Sequence, residues 1–121
     1  MAFTPFVKPG RSVLPHFGYD EAEIGRIDEH VCKVSENALC VSNTSSFPIV
    51  MTITLYVADP DGYYTPVMLV RDETVPVSGV YAHPSKLTLF AGDYLTAKAL
   101  DQGQPDCTYT TALFWDELMM T

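Results

Sequence analysis

Basic residues are scarce in this chain: 7 Lys and Arg stand against 15 Asp and Glu, a formal net charge of −8. That balance argues against a nucleic-acid surface, because such binding depends on cationic side chains displacing counterions from phosphate. It equally disfavours an anionic membrane surface. No apolar run approaches the ~20 residues that a membrane-spanning helix needs. The opening MAFTPFVKPGRSV lacks the continuous apolar stretch of a secretion signal, so none is expected. Cysteine is limited to Cys32, Cys40 and Cys107, with no C-x-x-C and no zinc-like spacing. An odd number leaves at least one thiol without an intrachain partner. Either the thiols are buried and idle, or Cys32 or Cys107 joins another subunit by a disulfide in an oxidising setting, such as a particle outside the cell.

Catalytic signatures are absent as well. There is no nucleophile elbow, phosphate-binding loop or dinucleotide fingerprint. His16, His30 and His83 fall at no metal-ligand spacing. Asp59-Pro60-Asp61-Gly62 resembles the start of a calcium loop, but Val70 stands where the twelfth-position acid belongs, so a hairpin turn is the better reading. Asn43-Thr44-Ser45 is a glycosylation sequon only for a secreted chain. No convergent titratable set can be named, so no enzyme, cofactor or metal is expected.

What is present is a globular composition, 47% hydrophobic and 18% charged over 121 residues, which fits one domain with its own core. Residues 1–30 differ from the rest. Pro5, Pro9, Pro15, Gly10 and Gly18 disfavour a long helix or a central strand. Phe3, Phe6, Val7, Val13, Leu14, Phe17 and Tyr19 are too apolar for a free tail. The segment reads as an extended arm lying on its own sandwich or on a neighbouring subunit. Acidic residues crowd 20–29, which reads as a solvated face or linker, with one or two helical turns over 20–28 capped by Asp20.

From residue 31 to 121 the period becomes two, and turn residues recur every 8–15 positions. That pattern predicts an all-β fold: one antiparallel β-sandwich, Ig-like or jelly-roll-like, of about 7–8 strands, with a short C-terminal tail. Expected strands cover 31–34, 38–43, 47–58, 65–72, 73–81, 86–90, 94–100 and 107–115. In 47–58 (FPIVMTITLYVA), Met51, Ile53, Leu55 and Val57 share one face and Thr52 and Thr54 the other. Pro76 and Gly79 make 73–81 an irregular edge strand. Trp115 reads as a core residue or an intersubunit plug. The tail DELMMT ends in Leu118, Met119 and Met120.

Three blocks carry a resemblance: Leu39-Cys40-Val41-Ser42-Asn43-Thr44-Ser45, Val50 to Val57, and Lys86-Leu87-Thr88-Leu89 followed by Ala91-Gly92-Asp93-Tyr94-Leu95-Thr96-Ala97-Lys98-Ala99. Over roughly residues 38–114 the chain resembles a group of small virion proteins of tailed bacteriophages. In that group a CNTS turn leads into a VTVTLWV strand, and an L-x-L-x-A-G-D-x-L-x-A-K-A hairpin follows. The long N-terminal arm and the terminal DELMMT depart from that pattern. The resemblance implies an all-β, non-enzymatic virion component.

The expected role is therefore an accessory structural subunit of a tailed-phage particle, on the head, neck or tail. It would bind other virion proteins and copies of itself, with no nucleic acid and no membrane as partner. Phe3, Phe6, Phe17, Met119 and Met120 are its expected contacts. The alternative is a glycan-binding attachment module that uses Tyr63, Tyr64 and Tyr81, which fall in or beside loops.

Overall fold

The computed structural model describes residues 5–103 and 106–120. Its ten strands are β1 (Pro5–Phe17), β2 (Ala22–Arg26), β3 (Cys32–Val34), β4 (Leu39–Asn43), β5 (Ile49–Ala58), β6 (Tyr64–Val75), β7 (Val80–Ala82), β8 (Leu87–Leu89), β9 (Tyr94–Ala99) and β10 (Thr108–Met120). They form two antiparallel sheets. In the first, β10 pairs with β1 along one side and with β4 and β3 along the other; β7 and β8 lie outside β4 and β3 respectively. The second has the order β2-β9-β5-β6.

β3 and β4 meet the same side of β10 one after the other, so they act as one strand interrupted at 35–38. β7 and β8 form a second interrupted strand beside them. Counted this way there are eight strand units. The first pairs with the last, the second with the seventh, the third with the sixth and the fourth with the fifth. This nested pairing, divided over two packed sheets, is the jelly-roll arrangement of the β-sandwich.

The core lies between the sheets and follows the alternation. Ile49, Met51, Ile53 and Leu55 of β5 are buried, as are Leu95, Ala97 and Ala99 of β9. Opposite them sit Leu39 and Val41 of β4 and Tyr109 and Leu113 of β10. Val57, expected on the same face, lies past the end of the core and is exposed. Burial pushes the Tyr109 phenol up to about 12.

Three expectations change. The acidic 20–28 stretch is not helical: it supplies β2, whose bulge between Glu23 and Gly25 lets both Ile24 and Ile27 reach the core. Residues 65–75 form one strand rather than two, because β6 bends through two register shifts and a left-handed Asp72 (φ 51°) without leaving β5. The N-terminal segment is extended and, of its two expected placements, takes the one on its own sandwich, where it is an edge strand of the β10 sheet. β1 is hydrogen-bonded along β10 from Pro5↔Met120 to Phe17↔Thr108, and β2 belongs to the opposite sheet. Residue 30 therefore does not separate an arm from a body. The 116–120 tail is likewise strand, paired with β1.

Candidate functional site

The motif blocks sit at corners where the chain crosses from one sheet to the other. Asn43 ends β4, and β5 begins in the opposite sheet. Its buried amide donates through Nδ2 to the carbonyls of Phe47 (2.8 Å), Val75 (3.0 Å) and Pro76 (3.2 Å), while Oδ1 accepts from Ser45 N–H (2.8 Å). Ser45 Oγ donates to Thr108 O and accepts from Thr108 N–H. Ala91-Gly92-Asp93 is a second such corner rather than a hairpin turn, because β8 pairs with β3 and β9 with β5 and β2. Asp93 is buried. Its carboxylate accepts from Ala58 N–H and Phe90 N–H, both at 3.0 Å. Gly92 (φ 95°) supplies the left-handed conformation of that corner. The motif residues thus satisfy buried backbone groups where the strands change sheet, a structural task.

Several of the exposed large apolar residues gather on the outer face of the β10 sheet. Directly opposed residues share a face, so the register defines rows across four strands. Val13, Ala112, Cys40 and Ala82 make one row, and Pro15, Thr110, Ser42 and Val80 the next. Phe17 opposes Thr108 beyond them, and Arg11 opposes Phe114 on the other side. Small side chains occupy the middle. Val13, Phe17, Val80 and Phe114, exposed by 52%, 76%, 62% and 45%, stand around them. Past Phe114 the row Pro9, Asp116, Lys33, Thr88 places one acid directly opposite one base. Between these rows the break at 35–38 leaves a notch of about 260 Å³, lined by Pro9, Ala38, Phe114 and Trp115 among others.

The outer face of the other sheet is different. Arg26, Tyr94, Tyr56 and Pro66 form one cross-strand row. The Tyr56 and Tyr94 rings stack with centroids 4.7 Å apart, the Arg26 guanidinium lies 4.4 Å over Tyr94, and Tyr64 meets Tyr94 edge-on. Tyr56 and Thr96 hydroxyls both donate to Glu21, at 2.8 Å. Arg26 also bonds Glu23. The faces of Tyr94 are thus taken up by its neighbours.

The expected site residues separate accordingly. Phe3 lies outside the described residues. Phe6 opposes Met119 directly, and Met120 opposes Pro5, at one end of the β1–β10 ribbon. Phe17 is at its other end, on the rim of the outer face. Cys32 and Cys107 do not fit an intersubunit disulfide: they are 2% and 0% exposed, and burial raises both thiols, with Glu117 adding at Cys32. A partner's thiol would have to open the core to reach them. The half-buried Cys40 is on the outer face instead. Tyr63, Tyr64 and Tyr81 do not converge. Tyr64 joins the Tyr94 row, while Tyr81 lies in the other sheet, its hydroxyl 3.1 Å from His83 Nδ1. Trp115 is half-buried against the core, its indole lying over Gly10 of β1, where no Cβ intervenes. Among the described residues, no group of three or more His, Cys, Asp or Glu is placed to hold a metal ion.

The reading from sequence named Val13 only as one of the apolar residues of the N-terminal segment, and singled out none of Cys40, Val80, Ala112 and Phe114 for this face. The signal available was the outward set of β10 from Thr108 through Thr110 and Ala112 to Phe114, which carries no charge until Asp116 in an acid-rich chain.

No protein-family model matches the chain, and no curated protein matches it. Its fold matches solved structures. One is from the acid-stable capsid of Helicobacter pylori bacteriophage KHP30, with a TM-score of 0.62, 5% identity, and coverage of 99% of this chain and 98% of that one. Two are from infectious bursal disease virus. The Gt strain gives 0.60 at 11% identity over 93% of this chain, and the Gx strain 0.58 at 11% over 97%. The chain spans 32% of either of those viral chains. At such identities the likeness is one of fold.

Proposed function

We propose that this chain is a non-enzymatic structural subunit of a virion, an accessory piece of a tailed-phage head, neck or tail. The observation that carries the reading is the self-sufficient jelly roll, which coincides end to end with a chain from a phage capsid structure. The exposed apolar side chains of Val13, Phe17, Val80 and Phe114 on one sheet face support a binding role, since such groups left in water are a cost for a subunit that works alone. The corner motifs add the resemblance to small virion proteins. Its partners are other virion proteins, and many copies in a symmetric shell multiply a weak contact through effective concentration. The ends of the β1–β10 ribbon, with Phe6, Met119 and Met120 at one and Phe17 at the other, extend that contact. The glycan reading draws no support from Tyr63, Tyr64 and Tyr81, which are not gathered into one site.

The test is to purify particles made from the gene cluster that encodes the chain and to count it by quantitative mass spectrometry. A fixed, symmetry-compatible copy number relative to the shell protein is expected. Its absence from the particles overturns the proposal.

A further inference from the structure

We infer that two copies of this chain meet through the outer face of the β10 sheet in an isologous contact, with the Val13-Ala112-Cys40-Ala82 and Pro15-Thr110-Ser42-Val80 rows of one copy packed on the same rows of another. This rests on the virion-subunit reading and names one partner and the surface it uses.

Strand addition is obstructed at every free edge. On β1 the Gly18 N–H donates to Cys107 O, beside the Phe17↔Thr108 pair. In that register the odd-numbered residues of β1 point their amides away from β10. Pro5, Pro9 and Pro15 are all odd, so three outward donors are missing from that edge. On the opposite edge β7 and β8 are three residues each, with Pro84 between them. In the other sheet β2 is bulged, and β6 carries two register shifts and the left-handed Asp72. Contacts between folded subunits therefore fall to faces and loops.

Charge then selects the face. The chain has 15 acidic residues, and a second copy brings the same excess. Along the described rows of the β10 sheet's outer face stands a single acid, Asp116, directly opposite Lys33, and Arg11 lies one row closer to the centre. Two copies of a −8 chain approach there across rows that carry one acid and two bases, Arg11 and Lys33, whose Nζ donates to Thr88 Oγ1 at 3.0 Å. Flat sheets stack at ~10 Å when the side chains between them are small or apolar, and the centre here is Ala, Cys, Ser and Thr.

The size sets the strength. Four strands at ~4.8 Å and about seven residues at ~3.4 Å give on the order of 450 Å² per copy. A stable pair buries roughly 800 Å² per partner. A pair in dilute solution is therefore weak, and the contact acts when a shell holds copies side by side.

The experiment is sedimentation of the full chain from ~10 µM to ~1 mM, with the alkylation rate of Cys40 followed in parallel. A rise in mean mass toward the dimer, with Cys40 alkylation slowing as mass rises, is expected. Ala112→Glu, on the outer face of a strand with an intact core beneath it, lowers the association constant by at least about tenfold. Val80→Glu, at the edge of the same face, provides a second variant, and circular dichroism establishes that both are folded. A chain that stays monomeric to ~1 mM, or that associates equally well with Ala112→Glu and Val80→Glu, overturns the inference. Particle mass spectrometry reads the virion role separately: presence in particles with no self-association rejects the contact and leaves the role standing.

Discussion

Asn43→Ala removes the clamp at the first sheet-crossing corner. The lost side chain removes a donor from the carbonyls of Phe47, Val75 and Pro76, of which Pro76 O keeps the Gly79 N–H, and the acceptor from the N–H of Ser45. The bonds to Val75 and from Ser45 are buried, so water does not replace them there; those to Phe47 and Pro76 are partly accessible. An ordinary hydrogen bond contributes ~1 kcal/mol net, and an orphaned buried group costs ~1–3 kcal/mol. Two orphans plus two weaker losses come to about 3–4 kcal/mol. A domain of this length has roughly 6–18 kcal/mol in all, so Asn43→Ala folds but melts about 10–20 °C lower. Asn43→Asp keeps an acceptor for Ser45 N–H but turns an oxygen toward the three carbonyls, so it is at least as damaging. Thr44→Ala, which loses an exposed bond to Thr108 Oγ1, costs under ~1 kcal/mol. The assay is thermal unfolding by circular dichroism with urea midpoints alongside. Melting of Asn43→Ala within about 3 °C of the parent refutes the clamp.

The second corner behaves alike: Asp93→Ala frees two N–H groups, at Ala58 and Phe90, and lowers stability by about 2–3 kcal/mol in urea titrations. Gly10→Leu drives a side chain into the Trp115 indole, costs about 1–3 kcal/mol, and shifts Trp115 fluorescence to longer wavelength as the indole is displaced. Burial lowers the pKa of both His16, which is stacked on Tyr109 and bonded to Thr111, and His83. The unfolded chain therefore takes up these protons first. Stability holds above pH 6.5, the ordinary imidazole value, and declines as pH falls through 6.5 toward the lower folded values. Urea midpoints at pH 7.5 and pH 5.5 measure the decline, and the double variant His16→Gln/His83→Gln flattens it. Native alkylation labels Cys40, whereas Cys32 and Cys107 react only with denaturant present, as mass spectrometry of the digested protein will report.

Much of the fold was legible because burial imposes a period of two. β5 and β9 carry that period in their apolar residues, with Thr54 and Thr96 between them also buried, and the break between β3 and β4 was visible in Ser35, Glu36 and Asn37. Where the backbone departs from regular pleating, the signal fades. The bulge in β2 shifts Ile24 and Ile27 out of alternation, and Glu21 and Glu23 mask them as a solvated stretch. The left-handed Asp72 divides β6 into two apparent strands. Prolines excluded β1 from the sheet centre, correctly, but an edge strand and a docked arm look the same in one dimension. The proposed contact face was not legible, because it depends on which strands lie side by side. Ala112, Cys40 and Ala82 are distant in sequence and adjacent only through the β10 register. Burial of Cys32 and Cys107 is likewise a property of the packed core.

The most direct measurement is a reconstruction of the purified particle at a resolution that resolves the strands of this subunit. The account predicts the chain in place as a symmetric component, with the Val13, Cys40, Ala112 and Val80 surface covered by a neighbouring copy. A particle that lacks the chain, or holds it with that surface open to solvent, contradicts it.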